Sequence, residues 1–303
     1  MFIIIILIQL LFSQGAIFFD GQRSMELLEY QCSFGPRFPG SEGHEQFSDS
    51  LKTFLDKLVE INLVFKDTII SPISNKKVEI TNFLARFNPR SSDRIMIMAH
   101  WDTREIADKD SNYNKLDLPA PLGANDGASG VSVLMTLAEI LSKNPLRKIG
   151  VDLLFLDAED MGVYKKSNTW GLGAEIFSKK YLKKPFPKYA ICIDMIGDKE
   201  QEFLIESFSY IYAPDIVNKV WSLAHELGYK QFRYIMGQKI IDDHYVIYKN
   251  SGIPAINIID FQYPNNEKNY WHTIEDTPDK CSAESLGAVG SVLATLIYRE
   301  DAY

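Results

Sequence analysis

Acidic and imidazole side chains recur just after short apolar runs in this chain, and that placement is where chemistry should be sought. His100 and Asp102 follow the run at 95–99. Asp126 sits in Gly-Ala-Asn-Asp-Gly (123–127), immediately before a stretch with helical spacing. Glu159 and Asp160 follow the run at 151–156, Asp194 lies near the end of 189–196, and His272 follows 255–259 across a loop. Each has an ordinary reading alone. Asn-Asp-Gly is a turn signature, a histidine at a strand end is commonly a hydrogen-bonded structural residue, Glu159-Asp160 fits a solvated loop start, and His272 fits a surface position. Together they weigh differently. The chain has five histidines and two fall at these positions, and carboxylates beside apolar strands are costly unless paired or bound to metal. Zinc takes carboxylate oxygen and imidazole nitrogen at about 2.0–2.2 Å, and a catalytic zinc keeps one position open. Asp126, Asp160 and His272 would form such a set, with Glu159 free beside it to carry protons.

Elements able to bring these residues together are legible as well. Helical spacing covers 24–32 and 42–58, with Ser41 as N-cap of the second. Residues 60–70 and 77–87 are rich in β-formers and are expected to pair as neighbouring strands. Strands are then expected at 95–99, 151–156, 189–196, 203–208 and 255–259. Helices are expected at 129–141, 172–181, 216–227 and 285–298. Alternating strands and helices imply an α/β fold: three layers, α/β/α, around a mixed, largely parallel sheet covered on both faces. Ligands of such sheets bind beyond the carboxyl ends of the strands, where the candidate residues fall. The loops at 108–127, 161–170 and 261–270 are long and polar, as functional loops often are.

The bulk numbers bound the rest. With 303 residues, 46% of them hydrophobic, the chain can bury one large core, and no linker divides it. Residues 17–303 are expected to form a single catalytic domain. A net charge of −8 argues against nucleic acid or an anionic membrane as partner. Residues 1–12 are apolar but interrupted by Gln9, too short for a membrane span. With Ser13, Gly15 and Ala16 following, residues 1–16 read as a signal peptide, hence a periplasmic or secreted protein. The other reading of that stretch is a buried strand. Cys32, Cys192 and Cys281 fit no metal or redox spacing, no disulfide is expected, and Cys192 lies in an apolar run as a core residue. Cys32 lies too far from the leader to be a lipid anchor. Nothing calls for an oligomer, and a monomer is expected.

Six segments in order carry a family likeness: AHWDT, GANDGASG, FLDAEDMG, CIDMIGD, IIDDH and YWHTIEDT. From about Asp20 to the C-terminus the chain resembles the bacterial glutaminyl cyclases, whose fold is that of the zinc-dependent aminopeptidases of the bacterial leucine aminopeptidase type. The resemblance implies one zinc ion on Asp126, Asp160 and His272, and Glu159 as general acid and base. It implies that Asp194 and Asp242 join Glu159 in a hydrogen-bonded acidic network. Trp271 matches a tryptophan that walls the substrate pocket, and Trp101 and Trp170 are candidates for the same wall, with core packing as the other reading of these two. The implied substrate is a peptide or protein with N-terminal glutamine, cyclised to pyroglutamate with loss of ammonia. Three departures stand out: Asp160 replaces the glutamate of the animal enzymes, the loop before Trp271 is longer, and no disulfide counterpart exists.

Two other readings remain open at this level. A two-zinc aminopeptidase would place His100 and Asp194 on one metal, Asp160 and His272 on the other, Asp126 between them, and Glu159 on an attacking water. All five ligands are present. The surroundings (Trp101 after His100, the Asp242-Asp243-His244 segment, Trp271 before His272) favour the cyclases. An exported, non-catalytic binding module is the third reading, against which the intact Glu159 and ligand set count.

Overall fold

A computed structural model describes residues 18–113, 117–265 and 267–302. The expected leader lies outside these residues. Helix α1 spans Gly21–Cys32, capped by Asp20, whose carboxylate accepts the Arg23 amide. Helix α2 spans Glu42–Asp56, and Ser41 caps it as expected, accepting the His44 amide. Short polar side chains at these positions satisfy amides that the first helical turn leaves unpaired.

The main sheet uses β1 (Ile61–Ile70), β2 (Lys77–Phe87), β3 (Arg94–His100), β4 (Gly150–Leu156), β5 (Ala190–Asp194) and β8 (Ala255–Ile259), in the order β1-β2-β4-β3-β5-β8. The β1/β2 and β2/β4 pairs are antiparallel. The pairs β3/β4, β3/β5 and β5/β8 are parallel. The sheet is therefore mixed, with its parallel half at the site. A parallel half of this kind must bury both faces, and the side chains divide accordingly. Ile95, Ile97 and Ala99 of β3 join a core with Leu28, Phe47 and Leu51. Met96 and Met98 join the opposite core with Phe177, Val246 and Ile247.

The first core also takes helices α3 (Gly130–Lys143), α6 (Pro214–Glu226) and α8 (Ala283–Ala302). The second takes α4 (Leu172–Ile176), its wider continuation Phe177–Tyr181, and α7 (Asp243–Ser251). No helix among the described residues is long and apolar enough to cross a membrane. All three cysteines are buried and free, Cys192 within the second core.

Two elements depart from the sequence-based expectation. The strand expected over 203–208 stops at Ile205: β6 is Phe203–Ile205, and helix α5 runs Ser207–Tyr212. Glu206 makes the break, because its carboxylate accepts the amides of Phe208 and Ser209 at 2.8 and 2.6 Å and so starts a helix. A further strand, β7 (Phe232–Met236), pairs with β6 in a small second sheet.

Glu206 yields a stability prediction. Besides those amides it accepts the Ile240 amide at 3.0 Å and lies 2.9 Å from His244 Nε2. Burial alone would push its carboxyl up, but the bond to His244 and the backbone amides outweigh it and hold the group at about 2, against an ordinary 4.5. A depressed folded-state value gives stability that is complete above the unfolded value and lost as pH falls through the folded one. Glu206→Gln is therefore expected to cost ~3 kcal/mol in urea unfolding at neutral pH. The gap to wild type should close as pH falls from the ordinary 4.5 towards 2. A gap that ignores pH would remove the ionised carboxylate from the account.

Candidate metal centre and pocket

The parallel strands deliver their polar residues to one edge. His100 ends β3, Asp194 ends β5, and Glu159 and Asp160 follow β4 by a few residues. Asp126 arrives on an irregular turn, residues Ala124–Ser129, leading into α3. That turn packs so closely that a Cβ on Gly127 would come within 2.5 Å of the His100 carbonyl and 2.6 Å of its ring. Asp126, Asp160 and His272 offer ligand atoms within 4.8 Å of one another, and all three are buried.

The bonding of these atoms tests whether a cation fits. His272 Nε2 lies 2.8 Å from Asp160 Oδ1 and 3.4 Å from Asp126 Oδ2. Yet His272 Nε2, Asp126 Oδ2 and Asp160 Oδ2 are all buried without a hydrogen-bond partner. Polar atoms in such positions are normally paired. Unpartnered atoms on three side chains whose ligand atoms lie this close suit a cation bound between two carboxylates and an imidazole, and the hard-oxygen and imidazole set suits zinc. Burial pushes Asp160 up to about 6 despite the neighbouring His272. Burial acts the same way on Asp126, but His100 and His272 overcome it and hold that carboxyl low.

The second group of ligand type is His100, Asp126 and Asp194. Here the atoms are already joined: His100 Nε2 is hydrogen-bonded to Asp194 Oδ1 at 3.1 Å. The same nitrogen lies 3.1 Å from Asp126 Oδ1, so one imidazole nitrogen serves two carboxylates, and Asp126 belongs to both groups.

Three further carboxylates, Asp102 and Asp276 buried and Asp108 half-buried, hold the candidate ligands in place. Asp102 accepts the amides of Glu159 and Asp160, each at 3.1 Å. Asp276 accepts the amides of Asn125 and Asp126 at 2.8 and 3.2 Å and the Tyr263 hydroxyl at 2.9 Å. Asp108 lies 3.4 Å from His272 Nδ1. It is itself gripped by Arg104 through bonds of 3.0 and 2.9 Å. Arg104 also donates to the carbonyls of Asp160 and Gly162 at 2.7 and 2.6 Å. Its guanidinium lies 5.2 Å from the Trp170 ring centre. One buried cation thus ties a ligand's backbone, a ligand's partner and a pocket wall together. Outer partners of this kind orient ligands. Asp102, one of the candidate ligands, is a backbone anchor. Asp276 and Arg104 have no distinguishing sequence signal, because they act largely on backbone groups.

A pocket of about 360 Å³ opens onto the centre, lined by Asp126, Glu159, Asp160, Asp194, Trp170 and Trp271 among others. Trp170 stacks nearly parallel to the His272 ring, with centroids 6.0 Å apart. Trp271 lies over the same imidazole, centroids 3.8 Å apart, and packs on Phe261. Trp170 fits because residue 162 is glycine: a Cβ there would sit 1.8 Å from the indole. Trp101 is different. It is fully buried, stacks on His44 at 4.3 Å and donates from Nε1 to the Thr81 carbonyl at 2.9 Å. The expectation that Trp101 walls the pocket is therefore overturned. Neighbours along an extended chain point to opposite sides, so with His100 facing the site Trp101 faces the core.

Glu159 lies on the pocket floor without hydrogen bonds from its carboxyl among the described residues. Burial, and then the charge of Asp242, push it well above its ordinary range. The expected hydrogen-bonded acidic network is thus an electrostatic one. Asp194 is bonded to His100 and stands at about 7, raised chiefly by burial. Asp242 accepts from the Asn257 amide and from the Asp243 amide. Asp243 is buried with both carboxylate oxygens unpaired and is pushed well up by burial and by Asp242. Such a cluster shares protons because adjacent buried carboxylates do not all ionise.

Known proteins carry the same architecture. Glutaminyl cyclase of Bacteroides thetaiotaomicron, solved bound to N-acetylhistamine, superposes with a TM-score of 0.87 at 33% identity, covering 93% of this chain and 99% of that one. A leucine aminopeptidase precursor from Bacteroides thetaiotaomicron VPI-5482 gives the same TM-score and identity, covering 93% and 98%. Aminopeptidase YwaD of Bacillus subtilis is 25% identical over 219 residues, and the match spans 70% of this chain but only 42% of that protein's length. The model of peptidase family M28 matches residues 82–297, a span that holds His100, Asp126, Glu159, Asp160, Asp194 and His272, and the chain belongs to that family.

Proposed function

We propose that this enzyme is a zinc-dependent glutaminyl cyclase that converts N-terminal glutamine of peptides or proteins to pyroglutamate and releases ammonia. The observation that carries the reading is the asymmetry of the two ligand groups. Asp126 Oδ2, Asp160 Oδ2 and His272 Nε2 lack a hydrogen-bond partner, whereas His100 Nε2 is hydrogen-bonded to Asp194 Oδ1. One cation suffices for that arrangement, and the reading takes one zinc per chain. The solved glutaminyl cyclase of Bacteroides thetaiotaomicron supports the choice of reaction.

When bound, zinc would polarise the side-chain amide carbonyl of the substrate and stabilise negative charge on its oxygen. The chain's own residues do the rest. Glu159 takes a proton from the substrate α-amine as its nitrogen bonds to the side-chain amide carbon. It returns that proton to the amide nitrogen as the old carbon–nitrogen bond breaks, so ammonia leaves and the carboxylate is regenerated. A carboxyl raised by burial and by Asp242 is suited to hold a proton between the two steps. Both reacting atoms belong to one molecule, so the pocket's main task is to hold the folded-back conformer. Trp170, Trp271 and Phe261 do this and keep out water, which would otherwise give glutamate. Residues 1–16 are read as an export leader, placing the reaction in the periplasm or outside the cell.

The test is product analysis on a Gln-Leu peptide by mass spectrometry, with zinc counted on the same sample. Loss of the mass of ammonia, with one zinc per chain, is expected. Release of free glutamine by a two-zinc protein would replace this reading with the aminopeptidase one.

A further inference from the structure

The pocket changes sign between floor and mouth. Its carboxylates Asp126, Glu159, Asp160, Asp194 and Asp242 are all buried. The charged lining residues that reach solvent are Lys165, Lys166 and Lys239. This is a basic ring on a chain of net charge −8. None of the three has an ion-pair partner among the described residues. Lys165 and Lys239 instead rest over the rings of Tyr164 and Phe208, at 5.4 and 5.5 Å from their centres, contacts that leave the charge unneutralised. Lys109, exposed nearby, lies 5.4 Å from the Trp271 ring centre and 5.0 Å from that of Tyr164, so it adds to the same field.

The lysines are set in place from both walls. Lys165 and Lys166 ride a tight loop closed by the Val163–Lys166 bridge, in which Thr169 Oγ1 accepts the Val163 amide at 2.8 Å. Arg104 anchors the start of that loop through the Gly162 carbonyl. Lys239 comes from the opposite wall, where the next residue, Ile240, is pinned to Glu206 at 3.0 Å.

We propose that this lysine collar makes the enzyme selective for substrates whose residues just after the N-terminal glutamine are acidic. The inference rests on the cyclase reading. A substrate entering glutamine-first brings its amino group to the acidic floor and leaves its second and third residues at the mouth. Acidic side chains there meet unpaired ammonium groups, and basic ones meet like charge. Solvent-exposed pairs are individually weak, but three lysines acting together, on approach as well as on binding, are expected to separate acidic from basic substrates by about five- to tenfold in kcat/KM.

The experiment compares Gln-Ala-Ala, Gln-Glu-Glu and Gln-Lys-Lys peptides by ammonia release, at about 20 mM and about 500 mM salt, where screening lengths differ severalfold. The zinc-loaded wild-type chain and the K166Q/K239Q variant are both assayed. The wild type should favour Gln-Glu-Glu over Gln-Lys-Lys by about five- to tenfold at low salt, and the preference should collapse at high salt. The variant should lose most of it. Equal rates on the charged peptides at low salt, or a preference that survives high salt, overturn the inference. Salt dependence in the wild type alone keeps the test decisive if the variant does not fold. Cyclisation of Gln-Ala-Ala without discrimination sinks the collar and spares the cyclase reading. Failure on all three peptides sinks the cyclase reading and the collar with it.

Discussion

Replacing Glu159 with glutamine is expected to lower cyclisation of a Gln-peptide by about 10²–10⁴-fold, the usual worth of positioned proton transfer, while zinc content stays that of the wild type. The separation follows from the bonding. Glu159 holds its place through the backbone, its amide bonded to Asp102 at 3.1 Å, and its carboxyl makes no hydrogen bond that the change would break. Nor is it among the atoms that face His272. The substitution removes a proton carrier and little else, so kcat should fall far more than KM changes. Burial also favours an uncharged side chain there, so the variant should fold at least as well as wild type. Turnover within a few-fold of wild type would take Glu159 out of the mechanism. Loss of zinc along with activity would make it a ligand or a structural residue instead.

Metal removal should produce the second large effect. Chelation is expected to abolish activity and to lower the melting temperature by ~7 °C, with both restored by adding zinc. A ligand held at about a thousand times its dissociation constant stabilises the folded state by about 4 kcal/mol. For a chain of this size each kcal/mol moves the melting point by about 1.5–2 °C. The metal-free protein should still fold, because His272 beside Asp160, raised to about 10 by that carboxylate and by Asp108 and Asp126 after burial has pulled it down, supplies a compensating charge. Asp126→Asn should make the melting temperature indifferent to zinc. An Asp126→Asn variant that still gains the full shift would place the stabilising metal elsewhere.

Much of this centre was legible because β-strand chemistry is local. Apolar runs ending in His100, Asp160 and Asp194 announce buried strands whose polar residues emerge at one edge, and β3, β4 and β5 end within a few residues of them. Register then does the assembling: His100 pairs with Leu156, and Met98 with Cys192. Trp101 was misplaced by the same local view. Adjacency to His100 brings it near the site in sequence, but alternation along an extended chain turns it away, against His44 and Phe47.

The residues that hold the ligands were harder to see. Asp276 and Asp102 act on backbone amides, and Arg104 on two backbone carbonyls as well as on Asp108 and Trp170. A side chain's bond to main chain leaves no complementary residue type to search for. Arg37, fully buried and donating to the carbonyls of Leu122 and Gly123 at 3.1 and 2.9 Å, supports the Asp126 turn in the same silent way. Helix α5 was hidden for a related reason. Residues 203–208 are β-like in type, and the cap on Glu206 that ends the strand also depends on His244, which lies far along the chain.

Anomalous diffraction at the zinc absorption edge, from crystals of the purified chain, tests the account most directly. A single strong peak should lie within bonding reach of Asp126, Asp160 and His272, with His100 and Asp194 still bonded to each other. A second peak between His100 and Asp194, sharing Asp126, would contradict the one-zinc enzyme, and no peak beside Asp126 would contradict the metal centre itself.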